Sequence, residues 1–237
     1  MDTINSSYSM QSIGIFQSQI SAKHRAPRQP DSKFGIDGII SLHKGMNFEQ
    51  ALTDLEGFSH LWVLYVFHKA EGWKPMVLPP RGEKKRGVFA TRSPYRPNQI
   101  GMSVVGCRSI DGLNIHVQSS DILDGTPILD IKPYIPYADS IPDAKSGWLD
   151  EISSIEFSFI IDEEVIVHNA ELLVKTGEDY LLHAKHILRE SPFPHPYRRI
   201  KNTGENEYEV AVNTMRFRYA IDNAVINIKE MYEHKNL

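Results

Sequence analysis

The stretch from Phe58 to Phe67, FSHLWVLYVF, carries aromatic and β-branched residues at most of its positions. A strand that is apolar on both faces is covered on both faces, so this stretch predicts a central strand or a barrel stave rather than an edge strand. His60 lies inside the stretch, where we expect a core histidine. His68 and Lys69 follow at the strand exit, where ligand-binding side chains often lie. His68 is therefore either a functional residue or an ordinary packing residue.

Downstream of this strand, the stretch from Gly87 to Ser103, GVFATRSPYRPNQIGMS, sets Arg92 and Arg96 on a stiff turn. Val88 to Ala90 predicts the end of a strand, and two prolines then exclude a helix or a central strand. A forked guanidinium binds a carboxylate or a phosphate through two parallel hydrogen bonds. The turn is therefore either an anion-binding site or a solvated loop with two surface arginines.

Short strands are predicted on both sides of these two stretches. They include Ser12–Phe16, Ile36–Leu42 and Met102–Ser109, and the Asp111-Gly112 turn joins the last of these to an alternating partner strand. Between the second strand and the central strand, Asn47 predicts the cap of a short helix. Closely spaced strands with few helices predict an antiparallel barrel or a sandwich.

An acidic turn, Asp124-Gly125-Thr126-Pro127, follows between two short apolar strands. Asp124 can stabilise such a turn by accepting a hydrogen bond from its own backbone. Alternatively, its carboxylate or the amides beside Gly125 hold a ligand hydroxyl or amine. The prolines at 133, 136 and 142 then predict an extended segment without regular structure.

The pattern changes near residue 150, so we predict an N-terminal domain of residues 1–150 and a smaller α+β domain of residues 151–237. The second domain is predicted to contain a strand, two helices separated at Gly177, and three closing strands. In the second of the closing strands, Arg216 and Arg218 alternate with apolar residues, which places both on one face of the sheet. The elements are Ile155–Ile160, Glu163–Lys175, Asp179–Arg189, Tyr208–Val212, Met215–Tyr219 and Ala224–Ile228.

Composition describes an ordinary globular chain of 237 residues, with 41% hydrophobic and 24% charged residues. A single cysteine, Cys107, excludes an internal disulfide, which suits a reducing compartment. The N-terminus has no secretory pattern, and no apolar run is long enough to cross a bilayer. We therefore expect a soluble, cytoplasmic protein.

The net charge of −4 hides a segregation of charge. Six cations and one anion lie between Arg81 and Arg96, which gives that segment a charge of +5. A second basic cluster contains Arg28, which forms with Gln29 an exposed pair between Pro27 and Pro30, or a plain connecting loop. Localised positive charge on an acidic protein indicates a defined anionic ligand, and RNA is one candidate.

Several common enzyme motifs are absent from the sequence. It has no G-x-G-x-x-G after a strand, no Walker lysine motif, no H-E-x-x-H and no G-x-S-x-G. One cysteine cannot build a thiolate metal site, so we expect no metal. Kinase, metalloprotease and serine-hydrolase functions are therefore disfavoured.

Four blocks of the sequence together resemble the TrmO family of S-adenosylmethionine-dependent tRNA methyltransferases. They are PRQP at 27–30, GFSHLWVLYVFH at 57–68, GVFATRSPYRPNQIGMS at 87–103 and DGTPILDIKPYIPYADSIPDA at 124–144. The resemblance implies a β-barrel that binds S-adenosylmethionine, in agreement with the antiparallel barrel predicted above to precede a smaller α+β domain. It implies methylation of N6 of N6-threonylcarbamoyladenosine next to the anticodon of a threonine tRNA.

The resemblance also implies a set of site residues. The barrel would contact the tRNA anticodon loop and form a homodimer, and His68 and Asp124 are the candidates for catalysis. Gln99 stands where we expect proline in many relatives, which should loosen the turn slightly. The implied cofactor-binding residues are Pro27, Arg28, Gln29, His68, Lys69, Arg92, Asp124, Gly125, Thr126 and Pro127. The candidate RNA-binding residues are Arg86, Arg96, Arg216 and Arg218.

Two other functions are compatible with the sequence. A non-catalytic RNA- or anion-binding barrel could use the same basic turns without consuming S-adenosylmethionine. A methyltransferase for another nucleobase or a small molecule would keep the cofactor site and change the substrate.

Overall fold

The structure, a computed structural model, describes residues 7–20, 35–80, 82, 84–151, 155–196 and 198–234. They divide into two compact units. The first comprises the described residues of Met1–Val77 and Lys85–Ala144, and the second those of Leu78–Lys84 and Lys145–Leu237. No helix in these ranges is long and apolar enough to cross a membrane.

The first unit is built around a closed antiparallel barrel of six strands in the order β1-β2-β7-β6-β3-β8. A two-stranded ribbon, β4-β5, lies in the connection between β3 and β6. The predicted antiparallel barrel is confirmed. Its strands are β1 (Gly14–Gln17), β2 (Ile36–Leu42), β3 (His60–Val66), β6 (Ile100–Asp111), β7 (Asn114–Ser120) and β8 (Pro127–Pro133), and the ribbon is β4 (Met76–Val77) and β5 (Arg86–Gly87).

Alternation along the strands explains the barrel core. Leu61, Val63 and Tyr65 of β3 are buried, while the residues between them are partly buried. The β6-β7 hairpin turns at Gly112, whose φ of 55° suits the first position of a tight two-residue turn. The inward side chains of all six strands form one hydrophobic cluster that includes Phe16 and Ile128.

Several local expectations about the barrel unit were wrong. Val88–Ala90 is a 3-10 helix rather than the end of a strand, because β5 has already ended at Gly87. His60 is exposed at the start of β3, where it contacts Tyr134, and is not a core residue. Asn47 has a left-handed φ of 58°, so its amide bonds to the Gln50 side chain instead of capping the helix.

The helical parts of the barrel unit are short. Helix α1 (Phe48–Ala51) is followed by a separate 3-10 turn, Leu55–Gly57, so the single predicted helix is divided. The segment predicted to be extended, which reaches residue 143, contains α2 (Pro136–Asp139), and a further 3-10 turn, Gly147–Leu149, follows it. Proline at the first position of α2 explains this helix, since its missing N–H is not needed there.

The second unit is a five-stranded sheet with the order β10-β11-β12-β13-β9, and two helices share its core. The strand β10 was not predicted, because its sequence, IKNTG, has little apolar character. Gly177 separates the helices, as expected, with a φ of 74°. The elements are β9 (Ser158–Ile161), α3 (Glu163–Thr176), α4 (Tyr180–Glu190), β10 (Ile200–Gly204), β11 (Glu207–Val212), β12 (Met215–Asp222) and β13 (Val225–Glu233).

Candidate functional site

The strand registers bring several predicted site segments to one end of the barrel. Tyr65 near the end of β3 pairs with Gly101 near the start of β6 and with Ile128 near the start of β8. Ile15 of β1 pairs with Pro127, the first residue of β8. The exits of β1, β3 and β7 and the entries of β2, β6 and β8 therefore share this end, which we call the site end.

His68 lies at the site end, two residues beyond β3, and is exposed. Its Nδ1 shares a hydrogen bond of 3.2 Å with the hydroxyl of Thr126, which is buried. This bond joins the exit of the central strand to the acidic turn between β7 and β8. Two of the implied cofactor-binding residues, 58 positions apart in the sequence, are thus in direct contact.

The acidic turn is fixed to the end of β1 by four hydrogen bonds. The amides of Asp124 and Gly125 donate to the carbonyls of Ile20 and Phe16, at 2.9 and 2.8 Å, and Phe16 N–H donates to Thr126 O at 2.9 Å. The Asp124 carboxylate accepts from the amide of Ser18 at 2.9 Å. The carboxylate therefore bonds to a neighbouring strand end rather than to its own turn.

These bonds restrict what the acidic turn can offer to a ligand. The Thr126 amide donates to Leu123 O, so the amides at 124, 125 and 126 are all engaged. The amides beside Gly125 therefore already donate within the protein, and their contact with a ligand stays a prediction. Of the two carboxylate oxygens of Asp124, only Oδ1 accepts a hydrogen bond from a described residue. Oδ2 is therefore the oxygen that can face a ligand.

A buried chain of polar groups lies beside Arg92 and was not predicted from the sequence. Tyr65 Oη and Ser103 Oγ are 3.1 Å apart, and Ser103 Oγ donates to Asp121 Oδ1 at 2.6 Å. Both Tyr65 and Ser103 are buried, and Asp121 is partly buried. The only sign of this chain in the sequence is Ser103, a polar residue at an inward-facing position of β6.

The electrostatics of this chain connect it to the exposed Arg92. Burial raises the pKa of Asp121, and the Ser103 hydrogen bond and the Arg92 charge act in the opposite direction. Burial, followed by the nearby Asp121 charge, raises the pKa of Tyr65. The Tyr65 hydroxyl therefore stays protonated, and the positive charge of Arg92 acts on both groups.

Arg96, a candidate for RNA contact, bonds within its own loop. Its Nη1 donates to the carbonyls of Val88 and Thr91 at 3.2 and 2.8 Å, and its guanidinium carbon lies 5.6 Å from the centre of the Phe89 ring. The guanidinium thus closes the turn that Pro94 and Pro97 stiffen. Direct contact of Arg96 with RNA stays a prediction.

Gln99 is also part of the loop architecture. Its side-chain amide donates to the carbonyls of Ala70 and Gly72 at 3.0 and 3.3 Å, and its own carbonyl accepts from Phe67 at 2.8 Å. These bonds tie the turn that contains Lys69 to the entry of β6. The loosening expected from the loss of proline is therefore offset by side-chain hydrogen bonds.

In the second unit, Arg216 and Arg218 share one face of β12, as the alternation predicted. Glu209 of β11 lies 3.9 Å from Arg216 and 3.8 Å from Arg218, and Arg218 also pairs with Glu230 at 3.0 Å. The side chain of Arg216 is only 15% exposed, whereas that of Arg218 is 54% exposed. Of the two, Arg218 is better placed for an anion, although the glutamates reduce the local positive charge.

For the other predicted site residues, the structure gives only their burial and their position in the fold. Arg86 is partly buried in β5, and Lys69 is partly buried just after β3. The positions 27–29, implied by the resemblance, lie outside the described residues. Within the described ranges, no group of three or more His, Cys, Asp or Glu side chains could hold a metal ion.

Comparisons with known proteins identify relatives along most of the chain. Residues 15–140 match the family described as the tRNA-methyltransferase O N-terminal domain. A tRNA (adenine(37)-N6)-methyltransferase of Escherichia coli is 37% identical over 229 residues, which cover 92% of this chain and 95% of that protein. A probable S-adenosyl-L-methionine-binding protein of Pyrococcus abyssi is 41% identical, over 59% of this chain and 74% of its own.

The architecture is also similar to that of solved proteins. A crystal structure of TrmO from Pseudomonas aeruginosa superimposes with a TM-score of 0.67 and 28% sequence identity. The superposition covers 98% of this chain and 100% of that chain. The likeness therefore extends over the barrel and the second unit alike.

Proposed function

This chain belongs to the tRNA-methyltransferase O family, and we propose that it transfers a methyl group from S-adenosylmethionine to N6 of an adenosine in tRNA. The target is the adenosine at position 37 of the tRNA, which is the position given in the name of the relative from Escherichia coli. The observation that carries the proposal is the grouping of Arg92, Asp124 and the His68–Thr126 pair at one end of the barrel. All of them lie in the segment that matches the family.

The side chains at the site end fit the polar groups of S-adenosylmethionine, which supplies an electrophilic methyl group when it is bound. Arg92 is an exposed cation suited to the carboxylate of the cofactor. Asp124 Oδ2 suits its amine or its ribose hydroxyls, because Oδ1 is occupied by Ser18. The resemblance adds Arg28, Gln29 and Lys69 to the site. We propose Arg28 as an alternative partner for the carboxylate, Gln29 as a contact for the adenine, and a backbone contact for Lys69.

The substrate that we propose is N6-threonylcarbamoyladenosine next to the anticodon of a threonine tRNA. Its N6 is part of a ureido group and is a poor nucleophile, so orientation must supply much of the rate. Well-oriented reactions gain on the order of 7–11 kcal/mol in this way. The target base must leave its stack, which costs little in a single-stranded loop.

We assign proton transfer to His68. An imidazole changes its protonation state near neutral pH, and His68 Nδ1 is oriented by Thr126 at 3.2 Å. In the tautomer in which Nδ1–H donates to the Thr126 hydroxyl, Nε2 carries no proton and would accept the N6 proton as the methyl group is transferred. Asp124 is the second candidate, but its hydrogen bond to Ser18 fixes it to the scaffold at the end of β1.

The proposal is tested by methyl transfer from radiolabelled S-adenosylmethionine to two preparations of one tRNA, with and without the threonylcarbamoyl group. We expect label only in the modified tRNA. Label in both would remove the threonylcarbamoyl group from the proposal. Label in neither, with cofactor bound, would indicate a different substrate, and no binding of cofactor would leave a non-catalytic RNA- or anion-binding barrel.

We further propose that the protein acts as a metal-independent homodimer in the cytoplasm. Exposed apolar side chains on the outside of the barrel support a second copy, among them Met102 at 54% exposure and Ile15 at 40%. The free thiol of Cys107 suits a reducing compartment. Sedimentation equilibrium would test the dimer, and full activity after treatment with a chelator would support independence from metal.

A further inference from the structure

Phe89 is a large apolar side chain on the surface of the barrel unit. Its ring is 75% exposed, although its neighbour Val88 is buried. Single exposed apolar residues are common on protein surfaces and by themselves indicate nothing. Phe89 differs from such residues because the loop around it is rigid and basic.

The rigidity of the loop comes from hydrogen bonds on both sides of Phe89. Val88 N–H donates to Pro75 O at 3.0 Å, and Thr91 donates to Val88 O through its amide and its hydroxyl at 3.1 and 2.9 Å. Arg96 adds its bonds to Val88 O and Thr91 O. The backbone that presents the ring is therefore fixed before any ligand binds, which lowers the entropy lost on binding.

The chemistry around the ring is cationic. The guanidinium of Arg96 lies 5.6 Å from the ring centre, within the range of a cation–π interaction. Lys85, Arg86 and Arg92 belong to the same connection between β3 and β6, and Lys85 and Arg92 are exposed. An exposed ring that contacts one cation and lies in a basic segment of the chain suits a partner that has both a flat π-face and a negative backbone.

We propose that Phe89 is a stacking platform for an unpaired base of the substrate RNA, in the loop that carries the methylated adenosine. The inference rests on the proposed function and adds a residue that holds the substrate. Aromatic side chains stack on bases of single-stranded RNA, while neighbouring cations contact its phosphates. Arg96 is then a positioning residue, because it holds both the ring and the backbone on either side of it.

The test compares Phe89→Leu with Phe89→Trp in the full-length protein. Leucine keeps an apolar side chain but has no π-face, whereas tryptophan enlarges the face. We expect Phe89→Leu to weaken binding of an anticodon stem-loop by between about fivefold and 150-fold, the range for loss of one stacked base. We expect Phe89→Trp to bind as tightly as wild type or more tightly.

Three control measurements separate stacking from other effects: the melting temperature, the affinity for S-adenosylmethionine and the oligomeric state. The melting temperature and the affinity for S-adenosylmethionine should be unchanged in Phe89→Leu, because the ring is exposed and lies outside the proposed cofactor contacts. Equal affinity of wild type and Phe89→Leu for the stem-loop would overturn the inference. So would a change of oligomeric state in Phe89→Leu, since the ring would then contact a second copy of the chain.

Binding of the stem-loop is measured without catalysis, so the two proposals can fail separately. If wild type binds the stem-loop and Phe89→Leu does not, while neither transfers a methyl group, the stacking platform stands and the proposed reaction falls. If wild type transfers the methyl group and Phe89→Leu does so with an unchanged KM for tRNA, the reaction stands and the platform falls.

Discussion

At the scale of single residues, Asp124 combines a structural and a proposed binding role in one carboxylate. Its Oδ1 fixes the end of β1 through the Ser18 amide. The negative charge of the group, through Oδ2, is what the proposed function needs. Because an asparagine also has an oxygen that can accept from Ser18, the two roles can be separated by substitution.

We expect Asp124→Asn to fold normally and to bind S-adenosylmethionine about 10-fold to 150-fold more weakly than wild type. The reason is the loss of a charged hydrogen bond, which contributes about 1.5–3 kcal/mol. Isothermal titration with the cofactor and a thermal melt give the two values. Asp124→Ala is the comparison, since it should lose affinity and stability together. Wild-type affinity in Asp124→Asn would show that the carboxylate is structural only.

Asp121 gives a prediction about pH, because burial raises its pKa above the value of an exposed aspartate. The folded state then holds the proton more tightly than the unfolded state, so the stability from this group is fully present below the unfolded pKa. It is lost as the pH rises through the folded pKa. At neutral pH, the ionised carboxylate therefore costs stability.

We expect the free energy of unfolding of wild type, minus that of Asp121→Asn, to fall as the pH is raised from acid toward neutral. The slope for one proton is at most about 1.4 kcal/mol per pH unit. Asparagine keeps an oxygen that can accept from Ser103 and does not titrate in this range. Urea unfolding at a series of pH values measures the difference, and a difference independent of pH would contradict the prediction.

At the scale of elements, the β3-β6 pair depends on a glycine opposite a tyrosine. Tyr65 and Gly101 are register partners. A Cβ placed on Gly101 would lie 2.3 Å from the Tyr65 ring, closer than real atoms approach. The glycine therefore leaves room for the ring, and the ring can then extend its hydroxyl toward Ser103.

We expect Gly101→Ala to destabilise the protein by about 1–3 kcal/mol, the usual cost of overpacking a core. The Tyr65 ring must move, so its hydrogen bond to Ser103 should be weakened as well. Gly57→Ala is the matched control, because nothing lies within 4 Å of the added Cβ at that position. Denaturant unfolding of both variants measures the effect, and equal stabilities would contradict the packing argument.

At the scale of the whole molecule, a chain of net charge −4 must bind a polyanion through a local surface. The connection from β3 to β6 at the site end concentrates positive charge. At the other end of the same barrel, Lys44 lies just beyond Leu42, which pairs with Gly14 at the start of β1. The barrel unit thus has one exposed lysine in the basic connection, Lys85, and another, Lys44, at the opposite end of the barrel.

We expect Lys85→Gln to weaken tRNA binding and to reduce the slope of log affinity against log salt by about 0.7–0.9, the effect of one phosphate contact. Lys44→Gln makes the same change of charge at the far end and should leave the slope unchanged. Both lysines are exposed, so neither change should alter the fold. Binding titrations at several salt concentrations measure the slopes, and equal slopes for the two variants would place the RNA elsewhere.

Features that depend only on neighbouring residues could be predicted from the amino-acid sequence. Alternation predicted the partner strand after Asp111-Gly112 and the shared face of Arg216 and Arg218, and Gly177 predicted the break between α3 and α4. The stretch at 58–67 predicted the central strand because it is apolar on both faces and rich in aromatic and β-branched residues. These features are local, because a period of two or a glycine at positive φ acts within a few residues.

Contacts between groups that are distant in the sequence became visible only in the folded protein. The Tyr65–Ser103–Asp121 chain joins residues that are 38 and 18 positions apart. The hydrogen bonds of Arg96 to the carbonyls of Val88 and Thr91 were not visible in the sequence either, and its contact with RNA stays a prediction. Strand register brings Tyr65 close to Ser103, and register depends on side-chain packing across the whole barrel rather than on any one segment.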